Sequence, residues 1–370
     1  MLRSVRRAGA VAGLLALAAV TALGGPATAT PSKLTVVAEG LNNPRGIGFG
    51  PDGALYVAES GSGGTGKCIP SPEGGAPSCF GRSGSVTRIT RHSQQRVLTG
   101  LPSVAEEGGV AATGPVDLGF SGWTGYLLIG NPGGGTQTRK DLGPGAGRFG
   151  KLLKVDLHGI RSVADFPAVE DANNPDEGAG AQPGLEIDSN PNGLLVRKGA
   201  RYVTDAGGND LLKVDHKGRI SVVAVFPPRP VGDIPMQAVP TSVVKGPDGA
   251  FYVGQLTGFP FPVGGANVWR VVPGHDPEVF KGGFTNIIDI AFDRRGRLYV
   301  LEIATGGLLN APADELPVGR LVRVNRDGST TTLASEGLNA PGGFVLGHHT
   351  AYITNNSILP GAGQVVKVAI

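Results

Sequence analysis

Cysteine, methionine and tryptophan are nearly absent, at two residues each, and aromatic side chains make up only 6% of the chain. The two cysteines, Cys68 and Cys79, are not spaced C-x-x-C, which argues against a dithiol redox role. A surplus of one charge is also lacking. Basic residues number 33 against 30 acidic, and the three arginines among residues 1–29 account for the difference. Without that leader the chain lacks the global charge expected of a nucleic-acid or anionic-membrane binder. No compact Asp-rich calcium loop is present. Glycine (62) and proline (29) are abundant, and together with regular short apolar runs they imply many tight turns rather than disorder.

Residues 1–29 read as an export signal. Arg3, Arg6 and Arg7 make a basic start, residues 8–23 an uncharged apolar run, and Ala27-Thr28-Ala29 an A-x-A cleavage site. The run is too short for a good membrane span, and no Cys follows it for lipid attachment. Arg6-Arg7 is a twin-arginine pair, but the residues after it do not support that route. The expectation is a secreted, extracellular protein with no membrane span after cleavage. Residues 30–370 then form a single domain, and Cys68 pairs with Cys79 in an oxidising compartment.

A repeat organises the domain. All six tyrosines sit in one local pattern: Tyr56, Tyr126, Tyr202, Tyr252, Tyr299 and Tyr352, spaced between 47 and 76 residues apart. The shorter spacings match a four-stranded propeller blade of about 40–50 residues, and the longer ones a blade with loop insertions. After each Tyr comes an apolar–basic–β-branched run, as in Trp269-Arg270-Val271. Before five of them a Pro (Pro44, Pro115, Pro191, Pro240, Pro341) opens a run of small and apolar residues. Period-two alternation in these runs indicates strands. The fold class is therefore all-β, a six-bladed β-propeller. The last unit lacks its fourth strand, and residues 34–40 supply one. Glu39-Gly40-Leu41-Asn42-Asn43-Pro44 repeats the register of Glu336-Gly337-Leu338-Asn339-Ala340-Pro341.

Strands alternate in direction, so the b–c and d–a connections share one face, and that face receives every long segment. Long loops on a rigid scaffold are where binding and catalysis concentrate. The six histidines fall in short turns on the other face: His92, His158, His216 and His275 in c–d turns, His348 and His349 in an a–b turn. This argues against a Ser-His-Asp site, a His general base or a His-based metal site.

The long-loop face is left with carboxylate and amide chemistry. Glu59, Asp205, Gln255, Glu302 and Asn355 follow their Tyr by three residues, with Asn131 the nearest equivalent in the second unit. Asp117 and Asp289 open inner strands of the second and fifth blades, opposite each other across the ring. Arg45, Asn192 and Asn286 lie nearby. Glu59, Asp117, Asp205, Asp289 and Glu302 could hold Ca²⁺ in the channel mouth and so activate water or polarise a carbonyl. The same residue types also cap strand ends and line wet channels, their commoner use. Phe259 and Phe261, set between prolines, read either as a rigid apolar contact surface or as a plug packed on the channel. The acidic run 170–177 reads as a solvated loop.

The chain resembles the ScyD/ScyE family of secreted propellers. The matching stretches are GLNNPRGIGFGPDGALYVAE, CIPSPEGG, NNPD, DSNPNGLL, AVFPPRP, IPMQAVPTSVVKGPDGAFYVGQLTGFPFPVG and GFTNIIDIAF. They span nearly the whole domain. The resemblance implies fold and export but no reaction, and Val116-Asp117 stands where His-Asp is expected in many relatives. The leading expectation is a non-catalytic binding propeller whose partner is a small molecule or an extracellular protein, acting as a monomer. The alternative is a hydrolase of lactones or esters dependent on calcium or another divalent metal. Quinone-dependent sugar oxidation fits poorly, because no His reaches the mouth.

Overall fold

The computed structural model describes residues 33–70, 76–181, 184–312 and 315–370. The leader and its cleavage site lie outside the described residues, as does part of the CIPSPEGG stretch. No described helix is long and apolar enough to cross a membrane.

Six antiparallel sheets form the blades, each with strands a to d from the axis outward. Their inner strands are Pro44–Phe49, Pro115–Ser121, Pro191–Arg197, Pro240–Lys245, Ile287–Phe292 and Gly343–Leu346. Four inner strands begin with Pro, which has no N–H to give a ladder and is tolerated at a strand's first residue. The sixth blade is completed by Thr35–Leu41, which pairs antiparallel with Gly363–Ala369, as the repeated register implied. Leu41 within it is fully buried.

The core is divided by the blades. Six apolar clusters each lie between two neighbouring sheets. One joins Leu128 and Leu152 of the second blade to Val203 and Leu212 of the third. The cluster beside the closing strand joins Leu41 and Val365 to Ile47 and Val57. Alternation along each strand feeds both faces of a sheet, so each blade contributes to two clusters.

The Tyr repeat has a structural explanation. Every Tyr stands directly opposite the basic residue of strand c: Tyr56 opposite Arg88, Tyr126 opposite Lys154, Tyr202 opposite Lys213, Tyr252 opposite Arg270, Tyr299 opposite Arg323 and Tyr352 opposite Lys367. In two blades an a–b turn Asp closes the group. Asp52 accepts from the Tyr56 hydroxyl and from Arg88, and Asp248 does the same for Tyr252 and Arg270.

The first blade departs from the expected loops. Residues 60–84 and 100–114 are two of the long segments that the repeat reads as loops on one face. Instead strands Ser78–Ile89 and Gln94–Ala105 run as a long ribbon above the ring. Gly81 and Gly84 suggest a loop, but here they sit at register shifts of that ribbon. A Cβ on Gly81 would come within 2.0 Å of the Gly63 carbonyl, so glycine permits that close approach. Cys68 and Cys79 stand opposite each other on this ribbon and form a disulfide. Two other long connections contain helices, Thr136–Leu142 and Phe166–Asn173.

Candidate functional site

The six histidines lie in the short turns where the repeat puts them, between strands c and d or a and b. The opposite face carries the long connections. Each residue at the end of strand b is buried there and tied to a connection, except Gln255, which is tied to strand c of its own blade. Glu59 Oε2 accepts from the Asn42 backbone N–H at 2.7 Å, Asp205 Oδ1 from that of Asn190 at 2.6 Å, and Gln255 Oε1 from that of Asn267 at 3.2 Å. Glu302 Oε1 accepts from the Thr285 N–H and Asn355 Oδ1 from that of Asn339, both at 2.7 Å. Asn131 instead donates its amide to the carbonyls of Gly133 and Gly134.

Two of these residues also pair with an arginine. Arg96 makes a two-pronged ion pair with Glu59, which also accepts from the Ser85 and Thr87 hydroxyls. Arg320 pairs with Glu302 at 2.6 Å. Asn286 holds loops in a comparable way, donating to the Leu256 carbonyl and accepting from the Leu308 N–H. Arg45 donates to the Ala112 carbonyl at 2.9 Å, and Asn192 is partly exposed at the start of its inner strand.

Asp117 and Asp289 occupy matching places on the axis. Asp117 Oδ1 accepts from the Leu118 N–H and Oδ2 from that of Leu194 in the next blade, both at 2.7 Å. Asp289 Oδ1 accepts from the Ile290 N–H at 2.8 Å and Oδ2 from that of Phe344 in the next blade at 2.9 Å. Burial, and then the charge of Asp289, pushes the Asp117 carboxyl up to about 8 against its hydrogen bonds. Burial pushes Asp289 up to about 7.

Glu59, Asp205 and Glu302 thus stand in three different blades, with their oxygens engaged by protein donors. Calcium held jointly by these and the axial pair would have to compete with those bonds. Among the described residues no group of three or more His, Cys, Asp and Glu side chains is set to hold a metal ion as the side chains stand.

Around the third blade is a group that only Asp205 announced in the sequence. The acidic run 170–177 is not simply a solvated loop. Glu170, on the helix Phe166–Asn173, is 4% exposed and Asp176 7%. The helix turns Glu170 inward because Phe166 and Pro167 bury the same side. Asp188, Asp205 and Asp210 complete the group. Burial raises Glu170 to about 8, with Asp205, Asp176 and Asp188 adding to it. Burial and Asp205 raise Asp188 to about 6. Asp210 is driven well above the usual carboxylate range by burial and then by Asp205, Glu170 and Asp176.

A separate apolar surface lies on the connections of the fourth and fifth blades. Phe259, Val263 and Leu309 are 52%, 61% and 57% exposed, whereas Phe261 is half-buried. Val263 and Leu309 belong to neighbouring loops, for Gly307 lies against the Val263 side chain and the Phe261 carbonyl.

The ring of six closed blades defines the molecule as a six-bladed β-propeller. No family model and no curated protein matches the chain. Among solved structures it is similar to a protein of unknown function from Bacteroides thetaiotaomicron VPI-5482, with a TM-score of 0.54 and 10% identity over 91% of this chain and 75% of that one. It is also similar to a glucose dehydrogenase, with a TM-score of 0.52 and 12% identity over 91% of this chain and 99% of that one. At such identities the likeness is one of fold.

Proposed function

We propose that the chain is a secreted binding propeller of the ScyD/ScyE type, taking a small molecule or an extracellular protein on its long-loop face. The observation that carries this reading is the outward set of Phe259, Val263 and Leu309 on a braced base. Large exposed apolar side chains grouped on one face mark contact surfaces. The base is held by main-chain bonds from Thr257 and Gly258 to Ala238 and Gln237, and by Thr285 accepting from the Gly264 N–H. The Cys68–Cys79 disulfide fits an oxidising compartment. The test compares wild type with a Phe259→Ser/Val263→Ser double variant, both immobilised and exposed to the culture medium of the producing cells. Val279→Ser, on the outer strand of the fourth blade, is the control. Retention of one defined partner by wild type and the control, but not by the double variant, supports the site. Equal retention by all three removes it.

A second reading rests on the axial carboxyls. Asp117 and Asp289, raised to about 8 and about 7, have the proton affinity of a general acid or base at neutral pH. A lactone and ester hydrolase would use one carboxylate to activate water and the other to donate a proton. Turnover in a lactone and ester screen that disappears in Asp117→Asn would favour this reading. The likeness to a glucose dehydrogenase, at 12% identity, is one of fold and carries no activity over to this chain.

A further inference from the structure

Asp205 and Asp210 stand directly opposite each other in the second and third strands of the third blade. Like charges placed so are unfavourable unless something lies between them. Glu170 approaches the same turn from its helix. Its Oε2 lies 3.1 Å from the point where a Cβ on Gly208 would sit, the Asp188 carbonyl oxygen 3.6 Å and the Asp205 carboxyl carbon 3.7 Å from that point. Asp176 is drawn to the same turn by the Asn209 amide at 2.9 Å.

The five carboxyls are not equally committed. Asp205 accepts from Ser189 and from three main-chain N–H groups, Asp188 from the Gly134 N–H, and Asp176 from the Gly178 N–H and Asn209. Among the described residues Glu170 Oε1 and Asp210 Oδ1 have no hydrogen-bond partner, although their residues are 4% and 1% exposed. No ion pair between described residues reaches any of the five. Arg139 and Lys151 are taken by Asp165. Buried oxygens in a negative field, with neither a donor nor a basic side chain among the described residues, call for a cation or protons from outside the chain.

We propose that Glu170 and Asp210 are the direct ligands of a hard divalent cation, Ca²⁺, at the third blade, with Asp176, Asp188 and Asp205 supplying the surrounding negative field. Calcium accepts irregular shells of carboxylate, carbonyl and water oxygens, which suits the orphaned oxygens of Glu170 and Asp210 with the Asp188 carbonyl close to Glu170. The ion bridges the helix Phe166–Asn173 to the start of the strand Asp210–Asp215 and so fastens the long connection before the third blade. The site is separate from the apolar surface and from the axial pair.

The test titrates EDTA-stripped wild-type protein with CaCl₂, and in parallel with MgCl₂, by calorimetry and thermal melting. Glu170→Gln, Asp210→Asn and, as a control in an exposed short turn of the fourth blade, Asp276→Asn are treated likewise. The expected result is one Ca²⁺ per chain, a higher melting temperature with Ca²⁺, affinity reduced at least about tenfold in both cluster variants, and an unaffected control. Both cluster variants should melt at or above stripped wild type, because each removes a buried carboxyl that the metal-free fold must otherwise neutralise with a proton. Failure to bind Ca²⁺ would overturn the proposal and leave protons as the neutralising species. Binding that survives both cluster substitutions would overturn it too, since the ion would then sit elsewhere.

Discussion

Asp117 and Asp289, three blades apart, make the same pair of hydrogen bonds: one oxygen to the next N–H of their own strand, the other to an inner strand of the following blade. Each is an inter-blade clasp and each is held with a raised proton affinity, about 8 and about 7 against 3.8 for an unperturbed Asp. Below about pH 4 both groups are protonated in the folded and the unfolded chain. Between there and their folded values the unfolded chain has lost protons that the fold retains, so stability falls as pH rises, with the loss complete above the folded values. The melting temperature should be higher at about pH 5 than at about pH 8. Glu170 and Asp188 act in the same direction, so Asp117→Asn with Asp289→Asn should shrink the difference without abolishing it. An unchanged difference in the double variant would show that the axial pair does not retain its protons.

Glu59 is the buried end of a network of five donors: the Asn42 N–H, two hydroxyls and both reaching nitrogens of Arg96. Glu59→Ala strands them, and urea unfolding should show a loss of about 2–4 kcal/mol.

Asp52→Ala provides the contrast. It breaks an ion pair to Arg88 of similar length, but both side chains are partly exposed, at 20% and 35%. Urea unfolding should show no more than about 1 kcal/mol lost.

Gly46 tests how closely the inner strands approach. A Cβ there would lie 2.3 Å from Asp117 Oδ1 and 2.9 Å from its Cα, so Gly46→Ala must move an inner strand. A cost of about 1–3 kcal/mol is expected. Gly125→Ala, whose Cβ would meet nothing closer than 3.6 Å, should be near neutral in the same denaturation series.

The blades were legible because period-two patterning and the Tyr–basic pairing recur in adjacent strands, where residues facing each other are set by strand register alone. The closing strand was legible for the same reason, through the repeated Glu-Gly-Leu-Asn segment. The acidic group was not. Glu170 and Asp176 lie in a run whose composition suits solvent, and their burial depends on what the helix Phe166–Asn173 packs against. A local sign existed. Asp165 caps that helix through the Ala168 N–H and Pro167 sits in its first turn, so Asp-Phe-Pro announces a helix start. The ribbon of the first blade was hidden by Gly81 and Gly84, whose role is to let two backbones touch.

The pairing of Thr35–Leu41 with Gly363–Ala369 also sets a timetable. Five whole blades lie between these two strands in the chain, so Thr35–Leu41 must wait for all of them to be synthesised before its partner exists. Until then that strand has no ladder to join, and its backbone groups are open to any other extended chain. Ring closure therefore comes only after the blades it joins.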